Sequence, residues 1–296
     1  MATDLPWLSL HIAYHRGRMD RLLAELVLPS VKSLLQAGWI ESFFFVRYSF
    51  GGPHLRLRLL PSPGKEEEIR SVVVRETADF LRRHPSPASL PEEEILSRNR
   101  ALRRHDNSAE PEDRILADNT LQEIPFEPET ERYGGESLLP SSLEFFALSS
   151  VRSLQLLAGR DRVPDGQWLA IGMRLLSCYA LGLAADTEEL KKIVAFPQSA
   201  ERRAPGAIRD RGDRVFAKSK REFISLVRQE IQRLGTALPA LDDTASAGRL
   251  GCELRRAAPA VRQRIAVSQI HMTANRLGLR NVDEVYIARL LTRALE

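Results

Sequence analysis

The stretch HLRLRLL, residues 54 to 60, sets leucines against arginines. On an extended strand Leu55, Leu57 and Leu59 point to one face while His54, Arg56 and Arg58 point to the other. The two guanidinium groups then stand about 6.6–6.8 Å apart along the chain. That face is either a solvated surface or a site for an anion, because guanidinium forks bind carboxylates bidentately and do not lose their charge. A second concentration lies in PFEPETERYGGESLLPSSLEFF (125–146), where Arg132 and Tyr133 directly precede Gly134-Gly135. By itself this reads as a turn into a helix, the glycines relieving backbone strain. The third candidate is His271, in RIAVSQIHMTANRLGL. Histidine is the type best suited to proton transfer near neutral pH, yet on a semi-apolar helix it equally suits a hydrogen-bonded core position.

The other histidines offer less. His11 and His15 are four apart, but in text that alternates like a strand, so they share no helical face and make no metal pair. His84 and His105 sit in polar text and read as solvated. Cys178 and Cys252 are the only cysteines and have no paired spacing, which argues against a disulfide framework or a thiolate metal site. Neither G-x-x-x-x-G-K-[ST] nor G-x-G-x-x-G occurs, nor a G-x-S-x-G elbow, nor H-E-x-x-H. No metal, nucleotide or flavin cofactor is implied.

Positioning such residues falls to a chain of 296 residues, 43% hydrophobic and 28% charged, the make-up of an ordinary globular protein. The net charge of +4 invites a nucleic-acid reading, but basic and acidic residues are mixed throughout, as in EEEIRSVVVRETADFLRR. No direct nucleic-acid binding is expected. No apolar run approaches the ~20 residues of a membrane span. The N-terminus has no charged region followed by a long apolar one, so no signal peptide is expected. The expected location is cytoplasmic, with no membrane partner.

The elements follow from periodicity. WLSLHIAY (7–14) alternates as a strand. Residues 19–38 carry leucines at helical spacing, with Pro29 expected to kink them. A strand at 41–50, a Gly51-Gly52-Pro53 turn and the strand from His54 form a hairpin. A helix follows at 65–83, and residues 84–120 read as a polar insertion or mobile loop. After a short strand at 120–128 the text is helical: 138–158, 165–184, 213–234 after a charged loop near 199–213, 257–277, and a last helix from 282. Asn281 and Glu284 read as its cap pair. The fold class is therefore α+β, an antiparallel sheet mostly in the N-terminal half packed with helices and a helical C-terminal half, in one domain over 1–296.

Read in order, FFFVRYS…HLRLRL, F-x-x-E-x-x-RYGG, E-x-F beside a Ser-rich helix, and IHM-x-x-NRL form a set. It resembles the C-terminal elimination domain of class I lanthipeptide dehydratases, found also as a stand-alone protein in thiopeptide and related bacteriocin pathways. The resemblance runs from Trp7 to about Leu277. It implies β-elimination of glutamate from O-glutamylated Ser or Thr of a precursor peptide, leaving dehydroalanine or dehydrobutyrine. The family's functional residues match Arg58, Arg132 and His271, the catalytic set, and Arg56, which binds substrate. Around them His54, Tyr133, Asn275 and Arg276 are expected to bind or orient the substrate, while Glu129 and Glu144 support the site. The implied partners are the glutamylated precursor peptide and a separate glutamyl-tRNA-dependent protein that performs the esterification; the sequence leaves room for a homodimer. The chain departs from the pattern at Phe50-Gly51-Gly52-Pro53, where the family often has Asp-Pro, and at Ser149-Ser150 in place of Asp-Ser. Two other readings remain open: a thiopeptide pyridine synthase joining two dehydroalanines by a formal [4+2] cycloaddition, and a non-catalytic peptide-binding scaffold.

Overall fold

In the computed structural model, residues 7–106, 111–199 and 242–295 are described. Alternation dictates the first half: β1 (Leu8–Ala13), β2 (Ile40–Tyr48), β3 (His54–Pro61) and the short β4 (Thr120–Glu123). They form one sheet in the order β2-β3-β1-β4, with every neighbouring pair antiparallel. Helical crossovers link β1 to β2 and β3 to β4, a split β-α-β-β-α-β arrangement.

The first crossover is α1 (Met19–Leu22), a π-helical turn (Leu23–Val27) and α2 (Leu28–Gln36). Pro29 lacks the N–H that would bond four residues back, and the wider turn just before it absorbs that break where a kink was expected. The Ser30 hydroxyl donates to the Leu26 carbonyl at 2.8 Å. α3 (Glu66–Arg83) makes the second crossover. Leu8, Leu10 and Ile12 pair with Leu59, Leu57 and Leu55, so one sheet face is continuously apolar. Arg47 lies on that face opposite Leu55 and pairs with Asp20 of α1 at 2.6 Å, which puts the helical layer there. Val31, Leu34, Ile69, Val73 and Phe80 complete this core.

The described residues of 84–120 are not a structureless excursion. They contain α4 (Glu92–Asp106), whose Asn99 is fully buried. Its amide donates to the Glu112 and Arg114 carbonyls at 3.0 and 2.9 Å, and its oxygen accepts from the Gly51 N–H at 2.8 Å. A side chain that satisfies three backbone groups explains why so polar a stretch holds its shape. His84 likewise packs, edge-on to Phe80 at 5.3 Å, instead of standing in solvent; the side chain of His105 lies outside the described residues.

The second half is helical, as the patterning predicts: α5 (Leu139–Leu157), α6 (Asp165–Leu183), α7 (Thr187–Ser199), α8 (Asp242–Leu254), α9 (Pro259–Leu277) and α10 (Asn281–Leu295). α7 and α8 were not anticipated, and the loop near 199–213 and helix 213–234 lie, from residue 200 on, outside the described residues. The chain divides into two compact units, one reaching to Pro128 and including Ser153–Arg160, the other comprising Glu129–Arg152 and the chain from Asp161. No helix of the described residues is long and apolar enough to cross a membrane.

Candidate functional site

In the first unit the arginine-bearing face of β3 is not a solvated surface. His54 is 1% and Arg58 5% exposed, and Arg56 is half-buried. Register brings His11 opposite Arg56, Ser9 and Phe44 opposite Arg58, and Tyr48 opposite His54. The Arg56 guanidinium lies over the Tyr48 ring at 3.5 Å from its centre, and that of Arg58 over Phe126 at 5.3 Å. Phe126 packs in turn with Trp7 and Phe44, at 6.3 and 5.7 Å between centroids. Aromatic faces of this kind accommodate a cation without neutralising it.

Two imidazoles complete the group, stacked with centroids 5.0 Å apart. Arg56 Nε donates to His54 Nε2 at 3.3 Å, and His54 Nδ1 meets the Gly52 carbonyl at 2.8 Å, so both nitrogens of His54 are engaged. Arg58 Nη2 lies 3.2 Å from His11 Nε2. Burial, and then the charge of Arg58 and the neighbouring His54, Arg56 and Arg114, hold His11 down to about 2, the two imidazoles disfavouring joint protonation; burial above all brings His54 to about 3. Both rings are therefore neutral at physiological pH and serve the guanidiniums as acceptors. Arg114 enters this field from the stretch after α4, which no spacing in the sequence indicated. Gly52 closes the turn before β3 at φ 103°, where a Cβ would stand 2.6 Å from His15 Nε2.

The second unit gathers the remaining candidates along α9. Arg264, Ser268, His271 and Asn275 follow at helical spacing on one side of that helix. Arg264 donates to the Glu131 and Arg132 carbonyls at 3.1 and 3.3 Å, and Ser268 shares a 2.9 Å hydrogen bond with the Tyr133 hydroxyl. The RYGG turn is thus docked one helical turn before His271. Its sharpness needs glycine: Gly134 has φ 85°, and a Cβ there would lie 2.6 Å from Leu138 Cδ1. Arg132 is half-exposed and bonded to Glu129 Oε2 at 2.9 Å. Tyr133 is buried edge-on to Phe146 at 5.2 Å, and burial raises its hydroxyl pKa, so it stays a neutral phenol.

His271 is half-exposed, and its Nδ1 lies 2.9 Å from Oε2 of Glu284, a carboxylate only 8% exposed on the first turn of α10. A carboxylate accepts, so Nδ1 carries the proton and the lone pair of the neutral ring resides on Nε2. Glu284 was read as a cap; instead Asp283 Oδ2 accepts from the Arg280 N–H at 3.0 Å, which frees Glu284 for the imidazole. Arg276 is fully buried against Phe146 at 4.7 Å, and burial draws its pKa down to about 9.

The sequence-predicted residues therefore fall into two groups. His54, Arg56 and Arg58 share one sheet face, and Arg132, Tyr133, His271, Asn275 and Arg276 belong to the RYGG turn and α9. His11, Arg114 and Glu284 join them. No cluster of three or more metal-ligating side chains occurs among the described residues.

With this fold and these groups, the chain belongs to the family described as lantibiotic biosynthesis dehydratase, C-terminal, whose model matches residues 7–295. It is 21% identical over 184 residues to the epidermin biosynthesis protein EpiB of Staphylococcus epidermidis, covering 62% of this chain but 15% of that protein. Among solved structures it resembles the pyridine synthase TbtD from thiomuracin biosynthesis, with a TM-score of 0.79, 18% identity and coverage of 98% and 97% of the two chains. It also resembles the tRNA-dependent lantibiotic dehydratase MibB from Microbispora sp. 107891, with a TM-score of 0.63 and 18% identity, covering 100% of this chain and 28% of that one. These likenesses define a shared fold, and the family model places the chain among the C-terminal domains of lantibiotic biosynthesis dehydratases.

Proposed function

We propose that the chain is a lyase that eliminates glutamate from O-glutamylated Ser or Thr of a ribosomal precursor peptide. The observation that carries this reading is the pair of half-buried Arg56 and buried Arg58, held by uncharged imidazole acceptors and aromatic faces. A cationic surface of that kind suits a carboxylate-bearing group. In the reaction His271 Nε2 takes the Cα proton, the Cα–Cβ double bond forms, and the Cβ–O bond breaks. Glutamate leaves with that electron pair as its α-carboxylate. Arg56 and Arg58 hold the glutamyl group, and Arg132 stabilises charge that develops in the transition state. Glu284 keeps the His271 lone pair on Nε2. Glutamyl transfer from tRNA belongs to a separate protein.

The rival reading is a pyridine synthase, supported by the fold shared with TbtD. One experiment separates the two. Incubated with a synthetic O-glutamylated peptide, the protein is expected to release free glutamate and leave a dehydroalanine, seen by mass spectrometry, and His271→Ala to stop this. An aromatic macrocycle formed from a dehydrated peptide, with no glutamate released from the ester, overturns the elimination reading. The protein alone, given unmodified precursor and glutamyl-tRNA, is expected to do nothing.

A further inference from the structure

The stacked imidazoles of the first unit are not equivalent. His54 uses both nitrogens, one toward Gly52 and one toward Arg56. His11 uses only one: Nε2 faces Arg58 Nη2, and among the described residues its Nδ1 has no hydrogen-bond partner although His11 is 2% exposed. A guanidinium can only donate, so Nε2 must accept and the proton of a neutral ring sits on Nδ1. The result is a buried N–H without an acceptor, in a field set by Arg56, Arg58 and Arg114. Such a group is costly when left unsatisfied, and it persists where something else supplies the acceptor.

We infer that His11 binds substrate, its Nδ1–H donating to a carboxylate oxygen of the glutamyl group beside Arg58. The inference rests on the elimination reading for the identity of the ligand. The surrounding cations select an anionic oxygen over a neutral carbonyl. The geometry also gives His11 a second task, since its Nε2 accepts from Arg58 and so fixes that guanidinium.

Two substitutions separate these tasks. His11→Asn retains a donor near the position of Nδ1 and loses the acceptor for Arg58; His11→Gln keeps a polar group toward Arg58 and loses the Nδ1 donor. The probe is L-glutamate, titrated into protein labelled with 15N-histidine, alongside KM and kcat for glutamate release from an O-glutamylated peptide. The His11 Nδ1–H resonance, assigned by its loss in His11→Gln, is expected to shift on adding glutamate. His11→Gln is expected to bind glutamate more weakly and raise KM roughly 10–100-fold with kcat little changed, His11→Asn much less. Melting temperatures check that both variants fold; if neither does, the wild-type resonance is assigned by its through-space contact with the stacked His54 ring and decides the matter. An unmoved resonance overturns the inference, because the N–H then faces only an internal water; so does a His11→Gln protein with wild-type KM. Should the wild type release no glutamate from the ester yet show the shift, the elimination reading fails and the carboxylate site stands.

Discussion

A carboxylate buried behind a half-exposed imidazole changes what that imidazole can do. With Glu284 accepting from Nδ1, the basic nitrogen of His271 is the one turned from the carboxylate. Glu284→Gln puts this to the test, because a carboxamide can donate to Nδ1 and so drive the proton onto Nε2, where it blocks base catalysis. The expected loss in kcat for glutamate release is about 10²–10⁴-fold, with KM nearly unchanged and the pH–rate profile displaced. Glu284→Asp should recover part of the rate; an unaltered kcat and profile in Glu284→Gln would remove Glu284 from the mechanism. Sequence reading found the imidazole and missed its partner. Glu284 stands thirteen positions after His271, across a turn whose geometry no periodicity encodes, and an acidic residue in a first helical turn has a sufficient explanation in capping. His11 escaped for a different reason. Spacing in the sequence offers it only as a metal ligand, whereas strand register sets it opposite Arg56.

At the level of elements, what was legible is what repeats. Alternation in LSLHIA and HLRLRLL located β1 and β3, and heptad-like spacing located α3, α5, α6, α9 and α10, because burial of one face imposes those periods on the sequence. α4 is hard to read because its text is polar, with Ile95 its one fully buried apolar side chain beside the buried Asn99. Asn99→Ala would strand the buried Gly51 N–H and the carbonyls of Glu112 and Arg114. Each buried group left unsatisfied costs about 1–3 kcal/mol, so a drop of several degrees in melting temperature is expected. The same change should loosen the turn before β3 and raise KM, as that turn and the Arg114 segment are what Asn99 ties together. A variant with wild-type stability and KM would show that solvent satisfies those groups and that α4 is not what holds the turn.

Over the whole molecule, an arginine face built from neutral imidazoles makes stability depend on pH. His11 and His54 are held at about 2 and about 3 when folded, against about 6.5 for an exposed histidine. Below pH 6.5 the unfolded chain takes up protons that the folded chain refuses, so the contribution is complete above that pH and declines as pH falls toward 3. The slope is about 1.4 kcal/mol per pH unit for each ring, or ~2 kcal/mol from each between neutrality and pH 5. That is a large share of the 5–15 kcal/mol typical of a globular protein. Urea unfolding at pH 7.5, 6.0 and 5.0 should show midpoints falling with pH, and His11→Asn should remove about half of that fall while leaving carboxylate titrations in place as an internal reference. Equal midpoints across this range in the wild type would mean that the rings are reached by solvent and protonate freely, which would also deprive Arg56 and Arg58 of their neutral acceptors.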